Sequence, residues 1–243
     1  MLKINPQDKI DAQAIFLALT KRKRMVERFR LPYTEQQAYT MLLAACQSEV
    51  WSRRRKFEAT TDYIRHIADM ARWLTSSDTT FGLFLCGNRG NGKTTLVKAL
   101  RSLYHYLHSN EMYSSRDDRY PEYGFEIITA KELVLLAKAY NNRTKDNAAD
   151  VARYKRLRNV EVLCIDDLGT EPCESMNYGD FVNSSMDMIS YRYEEQLCTI
   201  ATSNLAADEI RTYYDERFAD RFREMMHIID FGNEPSFRNI KQQ

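Results

Sequence analysis

Residues 87–94 read Gly-Asn-Arg-Gly-Asn-Gly-Lys-Thr, a complete match to G-x-x-x-x-G-K-[ST]. No other feature constrains the fold as tightly, because this pattern works only between a buried strand and a helix. The run before it, residues 81–86 (FGLFLC), is apolar and strand-like, and a helical pattern over 93–108 follows it. Gly87, Gly90 and Gly92 permit backbone conformations and close approaches that a side chain would block. Backbone N–H groups of the loop then converge on an anion at the helix N-terminus, where the helix dipole adds to the attraction. The chemistry expected is phosphate binding by Gly87, Asn88, Arg89, Gly90, Asn91, Gly92, Lys93, Thr94 and Thr95. Lys93 neutralises the β- and γ-phosphates of ATP, and the Thr94 hydroxyl ligates Mg²⁺.

The rest of the chain agrees with that context. Short apolar runs at 81–86, 125–129, 161–165, 198–202 and 226–230 alternate with helical stretches at 93–108, 130–141, 148–158, 175–195 and 206–224. Such alternation predicts an α/β fold, a P-loop NTPase with a five-stranded, mainly parallel sheet covered by helices. Right-handed crossovers bring the strand C-terminal ends to one edge, where ligands bind. Before this core, the stretch to Arg30 reads as helical and basic, with Lys21 to Arg24 at its centre. A helix begins near Thr34, with Thr34 and Gln37 as a capping box, and another runs over 61–74. The expected boundary puts a helical basic region at 1–57 and the ATPase core at 58–243, with the break between 57 and 80. The segment 110–123 reads as a loop.

Three further groups fall at strand or helix ends. Asp166-Asp167 closes the apolar run Val162–Ile165, so its carboxylates face the edge that carries the phosphate loop. Asp166 is the expected Mg²⁺ partner. Asp167 is the expected general base for an attacking water, with Glu171 as the alternative. Thr202-Ser203-Asn204 ends the fourth strand, where a polar side chain meets the γ-phosphate or the water. Arg217 and Arg221 lie four apart on one helical face.

In order, GNRGNGKTT (87–95), VLCIDDLGTE (162–171), TIATSNL (199–205) and ERFADRFREM (216–225) resemble the AAA+ ATPases of the DnaC helicase-loader and IstB transposition-helper group. The resemblance covers residues 81–238. It implies that Asp166 and Asp167 are the Walker B pair, that Asn204 is the sensor of the γ-phosphate, and that Arg221, with Arg217 beside it, reaches the ATP of a neighbouring subunit. ATP-dependent homo-oligomers follow from that arrangement. Arg238 sits where the group often carries another arginine, although too little chain follows the fifth strand for a helical lid domain. The group's clients are a replicative helicase on single-stranded DNA or a transposase on duplex DNA, and the motifs do not separate the two. A small-molecule kinase and a non-hydrolysing nucleotide-dependent binding module are the other readings of the same loop.

Composition enters through charge and cysteine. Residues 1–57 hold twelve Lys/Arg and five Asp/Glu, so the net +1 of the chain divides into +7 there and −6 in the remainder. A basic arm of this kind meets an acidic partner or nucleic acid. Tyr154, Lys155, Arg156 and Arg158 form a second basic cluster, with an aromatic ring for DNA contact. The five cysteines, Cys46, Cys86, Cys164, Cys173 and Cys198, contain no C-x-x-C pair, which argues against a zinc site and for a reducing cytoplasm. No apolar run approaches membrane-spanning length, and Met1 to Thr20 shows no signal-peptide pattern.

Overall fold

The computed structural model describes residues 11–20, 29–77, 79–109, 125–171, 175–177 and 180–239. After α1 (Ala12–Thr20) come α2 (Glu35–Trp51) and α3 (Thr61–Thr75). The core then runs β1 (Gly82–Cys86), α4 (Lys93–Ser109), β2 (Glu126–Thr129), α5 (Ala130–Asn141), α6 (Ala148–Asn159) and β3 (Val162–Leu168). It continues through a ribbon of β4 (Ser175–Asn177) and β5 (Asp180–Val182) to α7 (Ser184–Glu194), β6 (Cys198–Ser203), α8 (Glu209–Tyr213), α9 (Glu216–Met225), β7 (Met226–Asp230) and a 3-10 turn at Phe237–Asn239.

Local chemistry sets the helix starts. The Thr34 side chain accepts the Gln37 N–H while the Gln37 side chain accepts the Thr34 N–H, so the capping box forms. Thr60, Thr129, Asn183 and Asp215 cap α3, α5, α7 and α9 in the same manner. Two of these caps correct the helices expected from sequence. Residues 175–177 and 180–182 are strands rather than helix, and the Asn183 side chain accepts the N–H groups of Ser185 and Met186 and so starts α7 later. The stretch 206–224 is two helices, because Asp215 is extended and opens α9 by accepting the Phe218 N–H.

The main sheet is parallel throughout, in the order β2-β3-β6-β1-β7. Its central strands β1, β3 and β6 are buried on both faces, and the two-residue period sorts their side chains into two layers. Leu83, Leu85, Cys164 and Ile200 pack with α2, α3 and α4, while Phe84, Cys86, Leu163 and Ile165 pack with α5, α6, α7 and α9. Ala38, Leu42 and Cys46 of α2 lie in the same core as α3 and α4. By contrast, Ile15, Phe16 and Leu19 of α1 are exposed. Lys21 to Arg24, Cys173 and the segment 110–123 lie outside the described residues. The four described cysteines are buried, and none of them is in a disulfide. Among the described residues no helix is long and apolar enough to cross a membrane.

One buried cation ties two crossovers together. Arg192 on α7 is fully buried, and burial pulls its pKa down to about 9. No carboxylate pairs with it among the described residues. Instead it donates to the carbonyls of Leu157, Val160 and Cys198 and to the Thr199 hydroxyl. These groups lie at the end of α6 and the start of β6. Arg192→Leu leaves several buried acceptors without a donor, each costing on the order of 1–3 kcal/mol. We expect about 3 kcal/mol or more of lost stability, read as a lower denaturation midpoint in urea at unchanged slope.

Candidate phosphate-binding site

The strand order builds the site. β6 lies between β1, which feeds the glycine loop, and β3, which ends in the aspartates. The end of β6 therefore stands between them. The Thr202 hydroxyl donates to Asp166 Oδ1 at 2.5 Å and accepts the Asp167 N–H at 3.0 Å. From the other side, the Thr94 hydroxyl donates to the same Oδ1 at 2.9 Å. Within the Thr202-Ser203-Asn204 group, Thr202 holds both aspartates.

Consecutive residues of a regular strand point to opposite faces, yet Asp166 and Asp167 line one cavity. A bulge makes this possible. Pairing with β6 shifts between Ile165 and Leu168, and Asp167 takes a left-handed φ of 59°. Asp tolerates that region better than most residues. The result is a buried, doubly bonded Asp166 beside an exposed Asp167, with Asn204 on the same cavity.

The loop itself is a cradle that side chains would fill. Gly87 has φ 114°, and a Cβ there would lie 2.7 Å from the Gly232 nitrogen; at Gly92, φ 100°, it would lie 2.6 Å from the Tyr63 ring. Lys93 Nζ donates to the carbonyls of Gly87 and Asn88 and to Asn91 Oδ1. Burial lowers the Lys93 pKa to about 8, against the opposing pull of Cys86, Asp167 and Asp166. Asn91 is buried and its Nδ2 has no hydrogen-bond partner, an orphan donor inside the loop. Gly90, Gly92, Lys93, Thr94 and Thr95 line the cavity. Asn88 and Arg89 are exposed, and the Asn88 amide is bonded to Asn233. An orphan donor, a lysine and glycine-made space fit a polyphosphate. The Thr94 hydroxyl and the Asp166 carboxylate, both hard oxygen donors, fit Mg²⁺.

The remaining candidates divide. Arg238 lines the cavity from the 3-10 turn, which is docked by the Phe237 N–H on the Gly90 carbonyl at 3.0 Å. Arg217 and Arg221 do not line it. Arg217 is exposed with no ion pair among the described residues, and Arg221 is bonded to Glu194 at 2.7 Å. Glu171 is 2% exposed and committed elsewhere. Its two oxygens accept the Gly169 N–H at 2.8 Å and the Tyr214 hydroxyl at 2.6 Å. Burial and this carboxylate push the Tyr214 phenol pKa well up. The expected basic–aromatic platform on α6 is not assembled. Tyr154 is buried against Tyr140, Arg156 pairs with Glu126, and the Arg158 guanidinium lies over Tyr191. The apolar face of α6 takes the ring into the core, and only Lys155 is left exposed and uncommitted.

Sequence reasoning missed two parts of the cavity wall. Phe57, Tyr63 and Phe237 form an aromatic group, with Tyr63 centred 5.9 Å from Phe57 and 5.4 Å from Phe237. Arg53 to Lys56 also line it. Neither group carries a local signature; their shared place depends on α2 and α3 packing beside the loop.

Glu171 separates two roles by substitution. Glu171→Ala should cost about 1–3 kcal/mol by stranding a buried N–H and a phenol. Glu171→Gln should keep most of any nucleotide turnover, measured as phosphate release. Abolished turnover in a stably folded Glu171→Gln protein would restore Glu171 as the base.

Solved structures offer a comparison. The chain is similar to a crystal structure of the DnaC helicase loader, at 19% identity and a TM-score of 0.50, over 72% of this chain and 92% of that one. It is also similar to DnaI, at 20% identity and a TM-score of 0.49 over 72% and 87%, and to AMPPCP-bound DnaA from Aquifex aeolicus, at 13% and 0.49 over 75% and 50%. A scan against protein-family models finds no match, and a search of the curated proteins finds none. At such identities the likeness speaks for the fold alone: the chain has the AAA+ P-loop fold that the DnaC helicase loader also has.

Proposed function

We propose that this chain binds and hydrolyses ATP and acts as a DNA-associated loader of the DnaC kind, with ATP as its assembly switch. One observation carries the reading. The groups needed at the phosphate end, Lys93, Thr94, Asp166, Asp167 and Asn204, line one cavity, while Arg217 on α9 stands outside it, exposed. On this reading α9 of a second copy adds its arginine to the basic residues, Arg53 to Lys56 and Arg238, that already line the cavity. The fold likeness to the DnaC helicase loader and the exposed apolar side chains of α1, suited to a client groove, support the same reading.

In this scheme Lys93 exchanges its loop carbonyls for phosphate oxygens. Asp167 takes the proton of the attacking water, and Asn204 orients that water. Mg²⁺, held by Thr94 and Asp166, neutralises phosphate charge when bound. Arg217 or Arg221 of a neighbour stabilises charge on the transferring phosphoryl group. Arg221 must first leave Glu194, so Arg217 is the readier of the two. Arg238 contributes in cis.

Titration of Lys93 gives a pH signature. Only the protonated amine attracts phosphate, and burial puts its pKa at about 8. ATP affinity should therefore be full below that value and fall as pH rises through it, by at most about tenfold per unit. Lys93→Ala should abolish both binding and ATP-driven oligomers; calorimetry and sedimentation check these.

Hydrolysis across subunits is tested by mixing. Asp167→Asn keeps a residue suited to the left-handed backbone, so we expect retained ATP binding and roughly 100-fold slower turnover. Arg217→Ala should be equally slow alone. Mixed together, the two variants should recover turnover at interfaces joining the intact Asp167 of one subunit to the intact Arg217 of the other. No recovery at any ratio would sink the shared-site proposal.

A further inference from the structure

The cavity has a wall that the phosphate loop does not supply. α2 ends at Trp51, and Arg53, Arg54, Arg55 and Lys56 follow it into the connection to α3. All four line the same cavity as Lys93 and Thr95. Arg53 reaches furthest. Its Nη1 lies 3.4 Å from the Thr95 hydroxyl, in the first turn of α4, while its Nη2 holds Glu49 at 2.8 Å. The turn is bonded from the Arg54 N–H to the Trp51 carbonyl at 2.8 Å, with Arg54 at a left-handed φ of 57°. That conformation is disfavoured for a non-glycine residue.

Charge makes the wall informative. Around the cavity stand seven cationic side chains, on Arg53 to Lys56, Lys93, Lys98 and Arg238, against the carboxylates of Glu58, Asp166 and Asp167. Arg54, Arg55 and Lys56 have no ion-pair partner among the described residues. Four adjacent cations turned to one cleft repel each other, and a polyanion in that cleft relieves the repulsion. Thr95 belongs to the helix end whose N–H groups face the bound anion, so a guanidinium within reach of its hydroxyl is within reach of a phosphate there.

We infer that the α2–α3 connector is a second, cis-acting phosphate-contact segment, in which Arg53 leaves Thr95 to hold the triphosphate of a nucleotide bound in this chain's own cavity. The inference rests on the loop being an ATP site. Its consequence is that occupancy is transmitted directly to the C-terminal end of α2. Trp51, in the last turn of α2 and 78% exposed, stands beside the segment that moves, whereas Trp73, the other of the two tryptophans, is buried.

The full chain is titrated with ATP and with AMP by calorimetry, while tryptophan emission is followed. Wild type should shift its emission with ATP and not with AMP. Arg53→Ala should weaken ATP binding about tenfold, leave AMP binding within twofold, and leave the thermal midpoint of the nucleotide-free protein in place. Arg53→Lys should recover part of the loss. ATP affinity within twofold of wild type, both in Arg53→Ala and in Arg54→Ala/Arg55→Ala/Lys56→Ala, overturns the inference. If the triple variant loses affinity for a single-stranded oligonucleotide while ATP binding is unchanged, the segment serves nucleic acid and the inference is again overturned. Lys93→Ala keeps the two levels apart. Loss of ATP binding there, without loss in either connector variant, removes only the connector. Undiminished binding in Lys93→Ala removes the ATP site itself, and the connector with it.

Discussion

A single carboxylate oxygen, Asp166 Oδ1, accepts hydroxyl groups from Thr94 on α4 and Thr202 on β6. Three elements distant in sequence are registered against one another at that atom. The first turn of the phosphate-binding helix, the end of the acidic strand and the end of the intervening strand all depend on it for alignment. Because Asp166 is buried, its carboxylate needs hydrogen-bond donors from the protein, and these two hydroxyls supply them. Both donors are short side chains on rigid elements, and this keeps the metal-type ligands together before any ligand arrives.

The bulge next to this junction explains how two neighbouring aspartates take different roles. One residue more on β3 than on β6 turns Asp167 into the cavity, while Thr202 holds its N–H in place. Just beyond, Glu171 braces Gly169 and Tyr214, joining the strand end to the segment that precedes α9. The arginines of α9 are thereby connected mechanically to the acidic strand although they lie away from the cavity.

The same economy marks the other side. The segment after β7 folds back on the loop, with the Asn88 N–H on the Gly232 carbonyl and the Phe237 N–H on the Gly90 carbonyl. This docking brings Arg238 to the cavity. The layer of α2, α3 and α4 brings Arg53 to Lys56 there as well, so basic charge from before the core and basic charge from its end converge on one anion-binding cleft.

Much of this was legible in the chain. The five strand runs, the loop, the capping residue Thr34 and the aspartate pair are local patterns, and local patterns survive folding because backbone geometry and side-chain periodicity act over a few residues. Where the sequence misled, non-local contacts decided. Glu171 and Tyr154 look available as a charge and a ring, but burial commits one to Gly169 and Tyr214 and the other to Tyr140. Helices expected at 175–195 and 206–224 start later or break because a polar side chain captures free N–H groups. By itself, then, the sequence determined a strand–glycine loop–helix unit in a parallel α/β frame. Only the tertiary structure decided that Thr202 holds the aspartates, that Arg217 stands outside the cavity, and that the α2–α3 connector forms a cavity wall. The physical reason is that strand insertion, burial and charge convergence depend on which distant elements pack together, and no short window of residues encodes that.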